Sequence, residues 1–206
     1  MRIFANFISF LFHPLLMVTY GIVLALMFSF LAIYPFSIKM LIAGGAFIST
    51  AVVPGLFIYL LVRNGAAGDI ELSDRRERLV PYLIIITSIL VCIFFLYKML
   101  MPFWLLAILV GACVALVIAL VINFYWKISA HALGLGGLLG GIMGVARIHM
   151  MNPYWAFIGV LVIAGLVGTS RIFLKRHTPM QVYAGFSLGF ICTFVASILS
   201  YIYLFI

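Results

Sequence analysis

An all-α integral membrane protein, built as a bundle of six to seven transmembrane helices, follows from three features of this 206-residue chain. Hydrophobic residues make up 67% of it and charged residues only 8%. The apolar residues come in runs long enough to cross a hydrocarbon core of ~30 Å at a helical rise of ~1.5 Å per residue. Backbone groups in lipid must pair inside their own segment, which selects helix. The whole chain, 1–206, reads as one transmembrane domain without internal repeats or low-complexity linkers.

The run from Ile3 to Tyr34 is too long for one span, and His13-Pro14 interrupts it because proline lacks the amide a continuing helix needs. Residues 1–14 are therefore expected to form an interfacial N-terminal segment. Arg2 is a thin basic start and no small-x-small cleavage site follows, so the segment is expected to be retained. Spans are predicted near 15–34, 39–62, 81–98, 102–124, 132–148, 153–170 and 181–205. Trp104, Trp126 and Trp155, with Tyr34, Tyr97, Tyr125 and Tyr154, fall at span ends and read as an interfacial aromatic belt. Cys92, Cys113 and Cys192 lie inside apolar spans, at spacings that suit neither zinc nor a disulfide framework, and read as packing residues. Gly134, Gly136, Gly137, Gly140, Gly141 and Gly144 give span 132–148 a face of small residues for close helix packing. They do not form a dinucleotide fingerprint, since Leu139 occupies the last glycine position and no strand precedes them.

The formal net charge of +8 sits in connections beside the bilayer. Membrane lipids, not nucleic acid, are the expected partner. Counting crossings puts residues 63–80, 125–131 and 170–180 on one side of the membrane. There they gather Arg75, Arg76, Arg78, Lys127, Arg171, Lys175 and Arg176, together with Ser129, His131 and His177. Arginine's planar fork suits phosphate oxygens. Ser129 is a natural N-cap for span 132–148, and Thr178-Pro179-x-Gln181 reads as a capping box with proline at N1. Two helix N-termini facing one region favour a bound anion. His131 and His177 add groups that exchange protons near neutral pH. His13 and His149 read as polar residues at the interface.

This pattern resembles the type 2 phosphatidic acid phosphatase (PAP2) superfamily, whose motifs are Lys-x6-Arg-Pro, Pro-Ser-Gly-His and Ser-Arg-x5-His-x3-Asp. The third is matched through Ser170-Arg171 and His177, and the second through Ser129 and His131, over a PAP2-like core of residues 70–205. The resemblance implies a metal-independent lipid-phosphate phosphatase with no cofactor. In it His177 is the nucleophile that becomes a phosphohistidine, and His131 protonates the leaving alcohol. Arg171, Ser129 and the Ala130 amide would hold phosphate oxygens, with Arg78, Arg75 and Lys127 as further phosphate ligands. The substrate would be a lipid phosphomonoester or pyrophosphate in the inner membrane of a bacterium.

Three positions depart from the family pattern. Gln181 stands where the family has the aspartate that orients the nucleophile. Arg78 is separated from Pro81 by two residues, and Glu71 holds the lysine position of the first motif. Ile128 and Ala130 replace the proline and glycine of the second. These departures leave open a protein that binds or moves phospholipid or polyprenyl phosphate without turnover. A third expectation, a magnesium-dependent prenyltransferase using Asp69, Glu71, Asp74 and Glu77, is disfavoured because all four carboxylates share one loop. The Lys/Arg bias predicts a cytoplasmic site, whereas the family resemblance implies the opposite face.

Overall fold

The computed structural model describes residues 1–65, 75–150 and 152–205, apart from the side chains of Arg75, Arg76 and 203–205. Asp69, Glu71 and Asp74 lie outside the described residues. The described chain is an all-α bundle, with six helices long and apolar enough to cross a membrane. It is an integral multi-pass membrane protein.

Helix α1 (Arg2–Leu11) is followed by α2 (Pro14–Phe28), and the pair is bent by 55°. Pro14 opens α2 at a position where its missing amide costs nothing, and His13 caps that end. The first span is shorter than the sequence predicts: α2 stops at Phe28 and a 3-10 turn, Phe30–Ile33, follows. The Ser29 hydroxyl causes this break. It donates to the Ala25 carbonyl at 2.6 Å and accepts from the Leu31 amide at 3.1 Å, substituting for helix bonds.

The second span runs from Phe36 to Arg63 as α3 (Phe36–Phe47) and α4 (Val53–Arg63), joined without interruption through a π-turn, Ile48–Val52. The π-turn precedes Pro54, whose ring an unmodified helix would drive into the preceding turn. The Ser49 and Thr50 hydroxyls bond back to the Gly45 and Ala46 carbonyls at 2.8 Å, taking up acceptors there. Helices α5 (Leu79–Lys98), α6 (Phe103–Tyr125), α7 (Ala130–Ile148), α8 (Tyr154–Phe173) and α9 (Pro179–Phe205) complete the bundle.

α6 and α7 are its most enclosed helices. Cys92, Leu96, Leu109, Ala119 and Ile128 form part of the buried core, while Phe94, Val121, Ile158 and Leu199 face outward where lipid tails replace water. Trp155, Tyr125, Tyr154 and Tyr97 are exposed, as a belt requires, but Trp104 is not: it is buried against Phe30 and His149 with ring centroids 6.2 and 5.3 Å away.

The glycines of α7 divide among three neighbours. Gly136, Gly140 and Gly144 face α9, and a Cβ on them would run into the Phe186 carbonyl, the Phe190 carbonyl and the Ser197 hydroxyl. α9 answers with Gly185 and Gly189, where a Cβ would strike the carbonyls of Ser129 and Leu133. Gly134 faces Met17 of α2, and Gly141 faces Ile108 of α6. Without a hydrophobic drive between helices in lipid, such backbone contact supplies the van der Waals attraction that holds α7 to α9. The Thr193 hydroxyl adds a bond to the Gly137 carbonyl at 2.9 Å.

Gly189→Ala should therefore separate α7 from α9 and cost at least ~2 kcal/mol, whereas Gly165→Ala, at a site with open space, should stabilise by about 0.5–1 kcal/mol. Thermal unfolding in detergent distinguishes the two.

Candidate functional site

The α7–α9 contact brings the two ends that carry chemistry together. Ser129 is fully buried and caps α7, its hydroxyl accepting from the Ala132 amide at 3.4 Å. Its own amide donates to the Gln181 carbonyl of α9 at 3.2 Å, so the two helix starts are stitched through backbone. The amides of Ala130 and His131 belong to the first turn of α7, where an α-helix offers them no intrahelical acceptor and an anion is favoured. Arg78, buried ahead of α5, donates from Nη1 to the Ile128 carbonyl at 3.1 Å, which fixes a cation beside that helix start.

α8 ends in a way that turns the chain inward at His177. The Arg176 amide donates to the Arg171 carbonyl at 3.0 Å and the Lys175 amide to the Ile172 carbonyl at 2.9 Å, the two bonds of a Schellman cap. Lys175 takes the left-handed conformation, φ 57°, that glycine usually supplies there. The turn leaves Lys175 and Arg176 exposed and Arg171 and His177 buried.

The capping box at α9 sets the tautomer of His177. The Gln181 amide donates to the Thr178 hydroxyl at 3.4 Å, and Gln181 Oε1 accepts from the Thr178 amide at 3.1 Å. An amide N–H is only a donor, so that bond orients the glutamine with its oxygen inward. The same oxygen lies 3.1 Å from His177 Nδ1. Nδ1 must then carry the hydrogen, and Nε2 presents a lone pair to the site. Arg78, Lys127 and Arg171 all lie close enough to His177 to oppose its protonation. Burial lowers its pKa most, the Gln181 bond raises it in part, and the three cations lower it again, to about 3. His177 is a neutral base held among cations.

His131 faces the same space, with Arg171, His13 and His177 in electrostatic range. Its Nε2 lies 3.1 Å from the Ser9 carbonyl of α1, so Nε2 carries hydrogen and Nδ1 is the remaining edge. The Ser9 carbonyl is available because α1 breaks: the His13 amide, which would bond it in a continuous helix, turns to the Phe10 carbonyl at 3.2 Å. The expected interfacial segment thus packs on α8 and reaches into the site. His13 itself lies against His131, ring centroids 5.5 Å apart and edge-on. Sequence alone gives no signal for that pairing beyond the helix break.

An apolar cavity of about 150 Å³ opens beside these groups and runs between α2, α5, α6 and α7. Pro14, Leu15 and Ala130 line its near end, and Trp104, Ala146 and Pro153 its far end. From Ala130 to Ala146 it extends ~24 Å along α7, nearly the depth of a bilayer core.

Of the site residues read from sequence, His177, His131, Gln181, Arg171, Ser129, Ala130, Arg78 and Lys127 converge; the side chain of Arg75 lies outside the described residues. Comparison of the chain with protein-family models, curated proteins and solved structures finds no match.

The depressed pKa of His177 has a testable consequence. Below the ordinary histidine value of ~6.5 the unfolded chain binds a proton at this residue that the folded chain refuses down to about pH 3. Stability should fall as pH is lowered through that window. His177→Gln should flatten the decline, read as the midpoint of thermal unfolding between pH 7.5 and pH 4.

Proposed function

We propose that the protein is a metal-independent, PAP2-like lipid-phosphate phosphatase of a bacterial cytoplasmic membrane, acting through a phosphohistidine at His177. The observation that carries this reading is the His177 ring, its tautomer fixed by Gln181 so that Nε2 holds the lone pair, with Arg78, Lys127 and Arg171 in electrostatic range. A phosphomonoester carries about −1.5 to −2 charge at neutral pH, which three cations around His177 and the α7 amides would match.

In the first half-reaction Nε2 attacks phosphorus, the bond to the ester oxygen breaks, and that oxygen takes the proton of the phosphate monoanion, relayed through the Nδ1 lone pair of His131. The imidazolium formed at His177 is held by the Gln181 oxygen. In the second half-reaction His131 Nδ1 accepts a proton from water, whose oxygen attacks phosphorus and releases neutral His177 and inorganic phosphate, which takes that proton from His131 as it leaves. The apolar cavity would take the hydrocarbon chain of the substrate.

Gln181 also favours a second reading, a protein that binds lipid phosphate without turning it over. An amide orients the imidazole but gives its charged form no countercharge, and the comparable loss of charge in a serine-protease triad costs roughly 10⁴ in rate. Phosphate release from lipid phosphates in EDTA, absent in His177→Ala, separates the two: release supports hydrolysis, and its absence from every lipid supports binding alone.

Gln181→Glu keeps the reach of the side chain and both acceptor bonds while adding charge. It should raise kcat by at least about tenfold, a modest part of the triad effect; a decrease would mean that the cation cluster is balanced around a neutral residue.

A further inference from the structure

The N-terminal break puts a third histidine at the site, and its tautomer is set by the fold. His13 caps α2, its Nδ1 accepting from the Leu15 amide at 3.3 Å. That nitrogen therefore holds a lone pair, and in the neutral ring the hydrogen is on Nε2. Protonating Nδ1 would forfeit the cap and place a positive charge at the positive end of a helix. A neutral imidazole held at a helix N-terminus as an N–H donor is the arrangement by which triosephosphate isomerase polarises a carbonyl.

The position of His13 says what it would donate to. Its ring lies edge-on to His131, centroids 5.5 Å apart. The residues next to these two, Pro14 and Ala130, line the near end of the apolar cavity. α2 and α7 approach closely just below, where a Cβ on Gly134 would lie 2.7 Å from Met17 Cγ and 3.8 Å from Pro14 Cα. A lipid with its chain in that cavity and its phosphorus at His177 would bring the oxygen joining them to the side of the cavity mouth where the two rings meet.

We infer that His13 is a substrate-binding residue whose Nε2–H donates to the bridging ester oxygen of a single-chain lipid phosphate, beside His131. The inference rests on the lipid-phosphate reading above. It gives the leaving oxygen two imidazoles of complementary form: a fixed donor at His13, and at His131 a proton-exchanging Nδ1 whose other nitrogen is tied to Ser9. No bond is made or broken at His13. It holds the oxygen before cleavage and stabilises the charge that develops on it.

The test compares dodecyl phosphate with the isosteric tridecyl phosphonate, in which a methylene replaces the bridging oxygen. Equilibrium binding is measured in nanodiscs in a His177→Ala background, where nothing turns over. With His13 present the ester should bind better relative to the phosphonate than it does in His13→Asn, by roughly fivefold. Asparagine and serine are both good N-caps, so His13→Asn and His13→Ser preserve the start of α2 while replacing the imidazole Nε2–H with donors on side chains too short to reach its position. Using the ratio of the two ligands cancels differences in their acidity and any general loss of affinity.

A ratio unchanged in both variants overturns the inference, as does failure of either ligand to bind the His177→Ala protein. Phosphate release from dodecyl phosphate by the otherwise unaltered protein is followed separately. It reports on hydrolysis alone: a protein that binds the ester through His13 but releases nothing would uphold the inference and refute the phosphatase.

Discussion

Everything at the candidate site depends on two backbones touching. Gly136, Gly140 and Gly144 of α7 meet carbonyl and hydroxyl oxygens of α9, and Gly185 and Gly189 return the contact. Any side chain in that seam would push the helices apart, and with them the amide of Ser129 from the carbonyl of Gln181. Ser129 starts α7 and Gln181 lies in the first turn of α9, so the seam registers one helix start against another. The capping residues then do double service, completing the helix ends and orienting His177 and the first amides of α7.

The second constraint is the break between α1 and α2. Proline at 14 ends one helix and begins another at 55°, which exposes a carbonyl at Ser9 and requires a cap at residue 13. His131 satisfies the carbonyl and His13 supplies the cap. A local defect in helix geometry thereby determines the hydrogen positions on two histidines 118 residues apart in sequence. The 24 Å or so of apolar cavity below them is bounded by the same two helices that carry those residues.

Much of this was legible in the chain. Span number and the common side of the polar loops follow from hydropathy and parity, and the Ser-Arg-x5-His spacing with its capping box points to the arrangement found at α8 and α9. The use of the glycine stripe for packing was also legible, but its division among three partners was not, because periodicity says which residues share a face and not which helix faces them. Trp104 misled for a related reason. A tryptophan at a span end normally sits in the interface, yet Phe30 and His149 enclose this one after Ser29 shortens α2. Lys175 gave no warning of a left-handed backbone, since glycine is the residue that signals such a cap. His13 looked ordinary because its partner is contributed by long-range packing.

The claim on which the account turns is that His177 Nε2 forms a bond to phosphorus. The measurement that tests it most directly is mass spectrometry of the protein after rapid alkaline quench of a reaction with excess lipid phosphate. The account predicts a phosphoryl group on His177, formed within the first turnover and lost when the quenched protein is acidified. Turnover without phosphorylation of His177, or with the phosphoryl group on another residue, would contradict it.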